Sequence, residues 1–167
     1  MDIAFLLVRL IGLGFAAHGA QKLFGWFGGY GLAGTGGFFE SIGFRPGRFF
    51  AAAAGTGELA GGILIALGLG GPVGPLLVIA VMTVAILSVH VGHGFFASGN
   101  GVEVPLLYVT LAVFFAFAGY GAYSLDQAFG WTAVWTPALE WGAVGLGILG
   151  GLLNMAARRK PAAQPSA

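Results

Sequence analysis

The sequence predicts an all-α integral membrane protein that crosses the bilayer five times. Its composition is the first reason: of 167 residues, 57% are hydrophobic and only 8% are charged, with a mean hydropathy of +0.90. A soluble domain carries about 25% charged residues and cannot bury this much apolar surface at this length. The second reason is a series of long apolar segments. The net charge of +1 is too small to indicate a nucleic-acid partner.

Five apolar segments are long enough to cross a membrane, which requires a helix of about 20 residues for about 30 Å of hydrocarbon. The predicted spans are residues 3–24, 48–69, 74–96, 104–123 and 137–156. Turn-forming stretches rich in Gly and Pro, such as "GLGGPVG", separate them. Residues 1–24 have no basic start and no good cleavage site, so we expect a retained helix rather than a signal peptide.

The connection at 25–47 and the chain end differ from the spans. The connection reads "GWFGGYGLAGTGGFFESIGFRPG", and its aromatic residues and glycines favour a segment along the membrane interface with a short helix near Phe38–Ile42. Residues 158–167, "RRKPAAQPSA", predict a basic, disordered tail. Small residues four apart, Gly12 with Ala16 and Gly147 with Gly151, indicate faces where helices pack closely.

The positive charges predict the orientation. Five spans place one group of cations on a single side, whereas the loops on the other side have no Lys or Arg. The group comprises Lys22, Arg45, Arg48, Arg158, Arg159 and Lys160. The positive-inside rule then places the C-terminus in the cytoplasm and the N-terminus outside.

Several ionisable residues lie inside the predicted spans, where a charge costs roughly 2.5 to 3.5 kcal/mol unless it has a partner. Converting position to depth puts His18 about 22 Å into the first span and His90 about 24 Å into the third, which runs the same way. Glu58 lies near the middle of the second span, and we expect Lys22 to be coupled to it. The sequence therefore predicts one polar pocket that opens toward the cytoplasmic half. Its residues are His18, Lys22, Glu58, His90 and Tyr108.

Other interpretations exist for these residues. Lys22 alone could reach the headgroups, and a single His near a helix end is often a packed group. His90 and His93 have the spacing of a metal or haem pair, but two further ligands are not evident. Arg9 lies on the opposite face of the first helix from His18, so we expect an ion pair with Glu140 on the outer side.

Four stretches together resemble the DoxX family of bacterial membrane proteins. They are "VRLIGLGFAAHGAQKLFG", "GLAGTGGFFESIGFRPG", "AAGTGELAGGILIALGL" and "GYGAYSLDQAFG", and the resemblance covers about residues 4–130. The family pattern maps onto an arginine in the first helix, a His-Gly pair with a lysine four residues after the histidine, a glutamate before glycines, and a closing Tyr-Ser-Leu-Asp. These residues are Arg9, His18, Gly19, Lys22, Glu58 and Tyr123–Asp126.

The resemblance implies a DoxX-like four-helix transmembrane bundle over residues 1–130, with an added fifth transmembrane helix at 131–157 and the basic tail at 158–167. It also implies that the protein is located in the bacterial cytoplasmic (inner) membrane. DoxD-type relatives are subunits of thiosulfate:quinone oxidoreductases, and other DoxX-like proteins are membrane partners of redox-defence enzymes. The expected function is thus a membrane subunit of a redox-linked complex that interacts with quinone. In it His18 and Glu58 would handle protons, and Lys22 would be a charge partner.

Other functions are compatible with the same residues. A non-catalytic scaffold or assembly subunit of a larger complex is the main alternative, and a small transporter is another. The expected partners are the lipid bilayer and either other membrane subunits or a second copy of the chain. A quinone head group or ordered water is the expected occupant of the pocket, with haem or a metal as alternatives, and no catalytic residue is assigned. The absence of cysteine excludes thiol chemistry on this chain.

Overall fold

A computed structural model describes residues 2–159, and every regular element within that range is helical. The eight α-helices are α1 (Asp2–Arg9), α2 (Ile11–Phe24), α3 (Gly31–Ser41), α4 (Gly47–Leu67), α5 (Val73–Ala85), α6 (Glu103–Ala118), α7 (Leu125–Ala128) and α8 (Pro137–Ala156). Helix α5 continues through a π-helical turn at Ile86–His90 and a 3-10 turn at Val91–His93. The predicted all-α membrane class is confirmed.

The chain runs through one bundle five times, between two ends that we call A and B. End A holds the start of α1, the turn after α4 and residues 119–136, as the hydrogen bond from the Tyr120 hydroxyl to the Gly71 carbonyl shows. End B holds residues 25–46, the loop at 94–102 and residues 157–159. The Arg159 amide donates to the Gly43 carbonyl there, at 2.9 Å. The cations assigned to one side by the sequence, as far as residue 159, therefore share end B.

Four helical segments are long and apolar enough to cross a membrane: Asp2–Phe24, Gly47–Leu67, Val73–His93 and Pro137–Ala156. Helix α6 also runs between the two ends, but it is a shorter apolar helix of 16 residues. The span predicted at 104–123 is thus too long, because Gly119, with φ +67°, turns the chain out of the helix. Tyr120 and Ser124 belong instead to a buried turn at end A.

Glycines allow the bundle helices to approach closely. On α2, a Cβ at Gly12 would overlap the Gly62 carbonyl of α4, and a Cβ at Gly19 would overlap the backbone of Gly55 and Leu59. On α8, a Cβ at Gly147 would lie 2.9 Å from the Leu76 carbonyl of α5, and Gly151 meets Thr83 in the same way. Both predicted small-residue faces are therefore helix contacts within the chain.

Helix α3 lies at end B, packed against α2 and α4. At 11 residues it is longer than the short helix predicted near Phe38–Ile42. The aromatic residues around it are exposed, with Tyr30 at 85% and Phe27 at 72%, as expected for residues at a membrane interface. Arg158 Nε donates to the Ile42 carbonyl at 2.6 Å. The first two residues of the predicted disordered tail are thus docked, whereas Lys160 and residues 161–167 lie outside the described residues.

The order of the helices gives a topological prediction that a cysteine-free chain makes easy to test. Single cysteines at Ser98, in the exposed end B loop, and at Thr132, exposed at end A, should be labelled by an impermeant thiol reagent from opposite sides of the membrane. From the positive charges we expect Thr132→Cys to react in intact cells and Ser98→Cys only after lysis. Labelling of both from the same side would contradict the odd number of crossings.

Candidate functional site

A cavity of about 330 Å³ opens in the end B half of the bundle, between α2, α3, α4, α5 and the last turn of α8. Its walls are mainly apolar and include aromatic rings from α3 and α4. The polar side chains that line it are Lys22, Glu58, Ser88, His90 and Asn154. An apolar cavity with a few polar groups is the usual form of a small-molecule site.

Glu58 lies in the middle of α4 and is 2% exposed. Its Oε1 accepts a hydrogen bond from Lys22 Nζ, while its Oε2 is buried and has no hydrogen-bond partner within residues 2–159. Small residues surround it, and a Cβ on the preceding Gly57 would lie 2.9 Å from a methyl group of Val81 in α5. A buried carboxylate oxygen without a partner is costly. It marks a position where a ligand or water would form a favourable hydrogen bond.

Lys22 reaches Glu58 because α2 packs on a glycine of α4. A Cβ on Gly55 would lie 2.8 Å from the Leu23 Cγ and 3.2 Å from the Lys22 Cβ, so a larger residue there would crowd both side chains of α2. One turn later the helix ends at Gly25, whose φ is +73°. The Lys22 side chain is 30% exposed, so it connects the buried carboxylate with the outside of the bundle. The predicted coupling of Lys22 with Glu58 corresponds to the ion pair found within residues 2–159.

His90 lines the cavity from the end of the α5 segment, away from the Lys22–Glu58 pair in sequence. It is the last residue of the π-helical turn, and π-helical turns in α-helices are frequent at functional sites. Its Nδ1 is 2.8 Å from the Asn100 carbonyl oxygen in the end B loop. His93, by contrast, is exposed and absent from the cavity lining, and its Nδ1 is 2.8 Å from the Val89 carbonyl.

The two histidines therefore do not form a metal or haem pair in this structure. Their rings are held by different carbonyls, and no group of three or more His, Asp or Glu side chains within residues 2–159 could hold a metal ion. The i, i+3 spacing would bring them together on an α-helix, but the switch from π-helical to 3-10 geometry between them changes their relative rotation.

His18 and Tyr108 lie outside the cavity, which corrects the predicted five-residue pocket. His18 is exposed, and its Nδ1 is 2.9 Å from Gln21 Oε1. Its ring meets the edge of the Tyr108 ring of α6, with centroids 6.5 Å apart. Residue number determines the depth of these side chains along their helices, but it does not determine the rotation of each helix. On α2, His18 turns toward α6, whereas Lys22 turns toward α4.

Arg9 does not pair with Glu140, contrary to the prediction. Arg9 is 4% exposed and donates to two backbone carbonyls, those of Leu67 and Tyr123. The Leu67 carbonyl ends α4, where helix carbonyls lack a partner and a cation is favourable. Glu140 instead lines a second cavity, of about 440 Å³, at end A.

The Tyr-Ser-Leu-Asp stretch at 123–126, for which no separate role is predicted from the sequence, holds end A together. Asp126 is 2% exposed and accepts hydrogen bonds from the amides of Gly70 and Gly71 at 2.8 and 2.7 Å, and from Trp135 Nε1 at 3.0 Å. Burial raises the pKa of the neighbouring Tyr120, and the negative charge of Asp126 adds to this effect. The stretch fastens the turn after α4 to the segment after α6.

The fold and the site define a class: a polytopic helical membrane protein with a Lys-Glu ion pair, its carboxylate buried, at a cavity within the helix bundle. Within that class, the family described as DoxX matches residues 4–91, just over half of the chain, and the protein belongs to this family. The matched range includes Arg9, His18, Lys22, Glu58 and His90, but ends before α6.

A relative from Haemophilus influenzae, described as an uncharacterized protein, is 39% identical over 79 residues. The match covers 46% of this chain and 59% of that relative, so the chain spans less than two thirds of the relative's length. No solved structure matches the chain. The comparisons thus give the family and its membrane location, and the chemistry of the site has to be argued from its residues.

Proposed function

We propose that this protein is the quinone-binding membrane subunit of a redox complex in the bacterial inner membrane, and that the ring of the quinone occupies the cavity beside Lys22 and Glu58. The observation that carries the proposal is the buried Glu58, whose Oε2 lacks a partner within residues 2–159 and whose side chain lines an apolar cavity. The chain belongs to the DoxX family, and the quinone-linked DoxD-type relatives of that family support the same ligand class.

A quinone suits the walls of the cavity as well as its polar end. Its flat ring could pack against Phe38, Phe39 and Phe50, which line the cavity, and its apolar tail would remain in the bilayer. The Lys22 ammonium would donate a hydrogen bond to one ring oxygen, in either redox state. Glu58 would accept a proton from that oxygen or return it, because a carboxylate next to a reacting oxygen is a suitable general acid or base.

Electrons would come from a partner subunit in this proposal. The chain has no cysteine, so any thiol step belongs to the partner. The role of this protein would be to bind the quinone ring and to exchange its protons. Lys22 is partly exposed toward end B, and end B carries the arginines that favour the cytoplasmic side. Proton exchange would therefore occur with the cytoplasm.

The proposal is tested by quinone binding to the purified protein in mild detergent. We expect a decyl-substituted benzohydroquinone, kept reduced without oxygen, to bind the wild type, and Glu58→Gln to weaken binding by at least about fivefold, because the ring hydroxyl donates a weaker hydrogen bond to a neutral amide oxygen than to a charged carboxylate. Glu140→Gln, at end A and outside the cavity, is the matched control and should bind like the wild type. His18→Ala should also bind normally.

Two results would overturn this function. If the folded wild-type protein bound neither quinone nor hydroquinone, the proposed function would be wrong. Equal binding by wild type and Glu58→Gln would place the quinone elsewhere. If, in addition, Glu58→Gln failed to co-purify with partner subunits, the site would serve assembly, and the protein would be a scaffold.

A further inference from the structure

The cavity has a second polar region at end B, and its chemistry differs from that of the Lys22–Glu58 region. Three polar side chains line it: Ser88 and His90 from α5, and Asn154 from α8. Each of them directs a donor at a backbone carbonyl. Ser88 Oγ donates to Val84 at 2.7 Å, Asn154 Nδ2 donates to Gly150 at 2.9 Å, and His90 Nδ1 lies 2.8 Å from the Asn100 carbonyl.

The bond to Asn100 fixes the tautomer of His90. A carbonyl oxygen only accepts, so Nδ1 carries the proton, and Nε2 of the neutral ring is left as an acceptor. Nε2 makes no hydrogen bond within residues 2–159. The Asn100 carbonyl is itself held in place, because the loop at 94–103 closes on itself through the bonds of Val102 to Gly94 and Glu103 to Phe95, at 3.0 and 2.8 Å. This region therefore offers acceptors to a ligand.

The spacing of the two regions suits a ring that has oxygens at opposite ends. Val81 lies beside Gly57, the neighbour of Glu58, and His90 follows Val81 by nine residues, which is about 13 Å of helix rise. Side chains lean toward the N-terminus of their own helix. Helices α4 and α5 run in opposite directions, so Glu58 and His90 lean toward each other and shorten this gap. A para-substituted ring with a hydrogen bond of about 2.8 Å at each oxygen spans such a distance.

We propose that His90 accepts a hydrogen bond from the far oxygen of the ring, and that the cavity consequently prefers the reduced hydroquinone to the quinone. A hydroquinone hydroxyl can donate to Nε2, whereas a quinone carbonyl only accepts and would face another acceptor there. This inference rests on the proposed function, because it assumes a quinone at the Lys22–Glu58 region. It makes His90 a residue that strengthens the preference of the site for the reduced ring.

Replacing His90 with asparagine separates the two roles of the ring. The amide of His90→Asn can still donate to the Asn100 carbonyl, so the loop keeps its support, but the acceptor corresponding to Nε2 is lost. His93→Asn is the matched control, because His93 also bonds a backbone carbonyl through Nδ1 but does not line the cavity. Thermal unfolding should confirm that both variants are folded.

The experiment compares the dissociation constants of a decyl-substituted benzoquinone and its hydroquinone, measured without oxygen. The wild type and His93→Asn should bind the hydroquinone more tightly than the quinone. In His90→Asn the ratio of the two dissociation constants should fall about fivefold to tenfold, which is the effect of one hydrogen bond. Quinone binding with a ratio unchanged by His90→Asn, or with no preference in the wild type, would overturn the role of His90 and leave the proposed function in place. Failure of both compounds to bind would instead overturn the proposed function.

Discussion

Lys22→Met is expected to lower the free energy of unfolding by about 3 kcal/mol, which is the lower part of the range for breaking a buried ion pair. The reason is the unequal burial of the partners: the Glu58 side chain is 2% exposed and that of Lys22 is 30% exposed. Removing the cation leaves a carboxylate in the bundle with neither oxygen paired within residues 2–159. The measurement is the folded fraction after heating in detergent, followed by size exclusion.

The double variant Lys22→Met/Glu58→Gln identifies the cause. We expect it to be more stable than Lys22→Met alone, because the second change removes the unpaired charge. Arg48→Met is the control for loss of a cation at end B, since Arg48 is exposed, and it should change stability by less than about 0.5 kcal/mol. Strictly additive effects of the two single changes would show that Lys22 and Glu58 are not coupled.

The coupling of Lys22 and Glu58 could be predicted because it depends on depth, and depth follows from residue number and helix rise. The need for a partner follows from the cost of a charge inside a membrane. The membrane class, the order of the helices and the small-residue contacts of α2 and α8 could be predicted for similar reasons. Each of them depends on composition or on a spacing along one helix.

The rotation of each helix could not be predicted in this way. His18 and Lys22 are four residues apart, yet His18 meets Tyr108 of α6 and Lys22 meets Glu58 of α4. Even the small angle around the helix axis between two side chains four residues apart is enough for them to face different neighbouring helices. The π-helical turn before His90 has no clear sequence signal either, although it determines which side of α5 the ring occupies. The cavity itself depends on these rotations.

Arg9 illustrates a different limit. A buried arginine does need partners, but the partners of Arg9 are backbone carbonyls and not the predicted carboxylate of Glu140. Helix ends expose carbonyls wherever they occur, and the sequence does not show which helix end will meet a given side chain. The contact depends on Gly68, where a Cβ would overlap the Arg9 guanidinium.

Gly62→Ala is expected to have a large effect on folding, although it adds only one methyl group. Gly62 of α4 faces α2, and a Cβ there would overlap the backbone nitrogen of Ala16 and the carbonyl oxygen of Gly12. Both are backbone atoms, so no side-chain rotation can relieve the overlap, and α2 would have to move away from α4. That movement would also separate Lys22 from Glu58, so we expect a loss of more than about 3 kcal/mol, with little folded protein recovered.

Gly145→Ala is the matched control, because it makes the same chemical change within a long helix. A Cβ on Gly145 of α8 would meet nothing within 4 Å among the described residues, and alanine is a better helix former than glycine by about 1 kcal/mol. Gly145→Ala should therefore be as stable as the wild type or slightly more so in the same heating assay. If Gly62→Ala were as stable as Gly145→Ala, α2 and α4 could not be in backbone contact. The Lys22–Glu58 pair would then need another explanation, because it depends on the same close approach of the two helices.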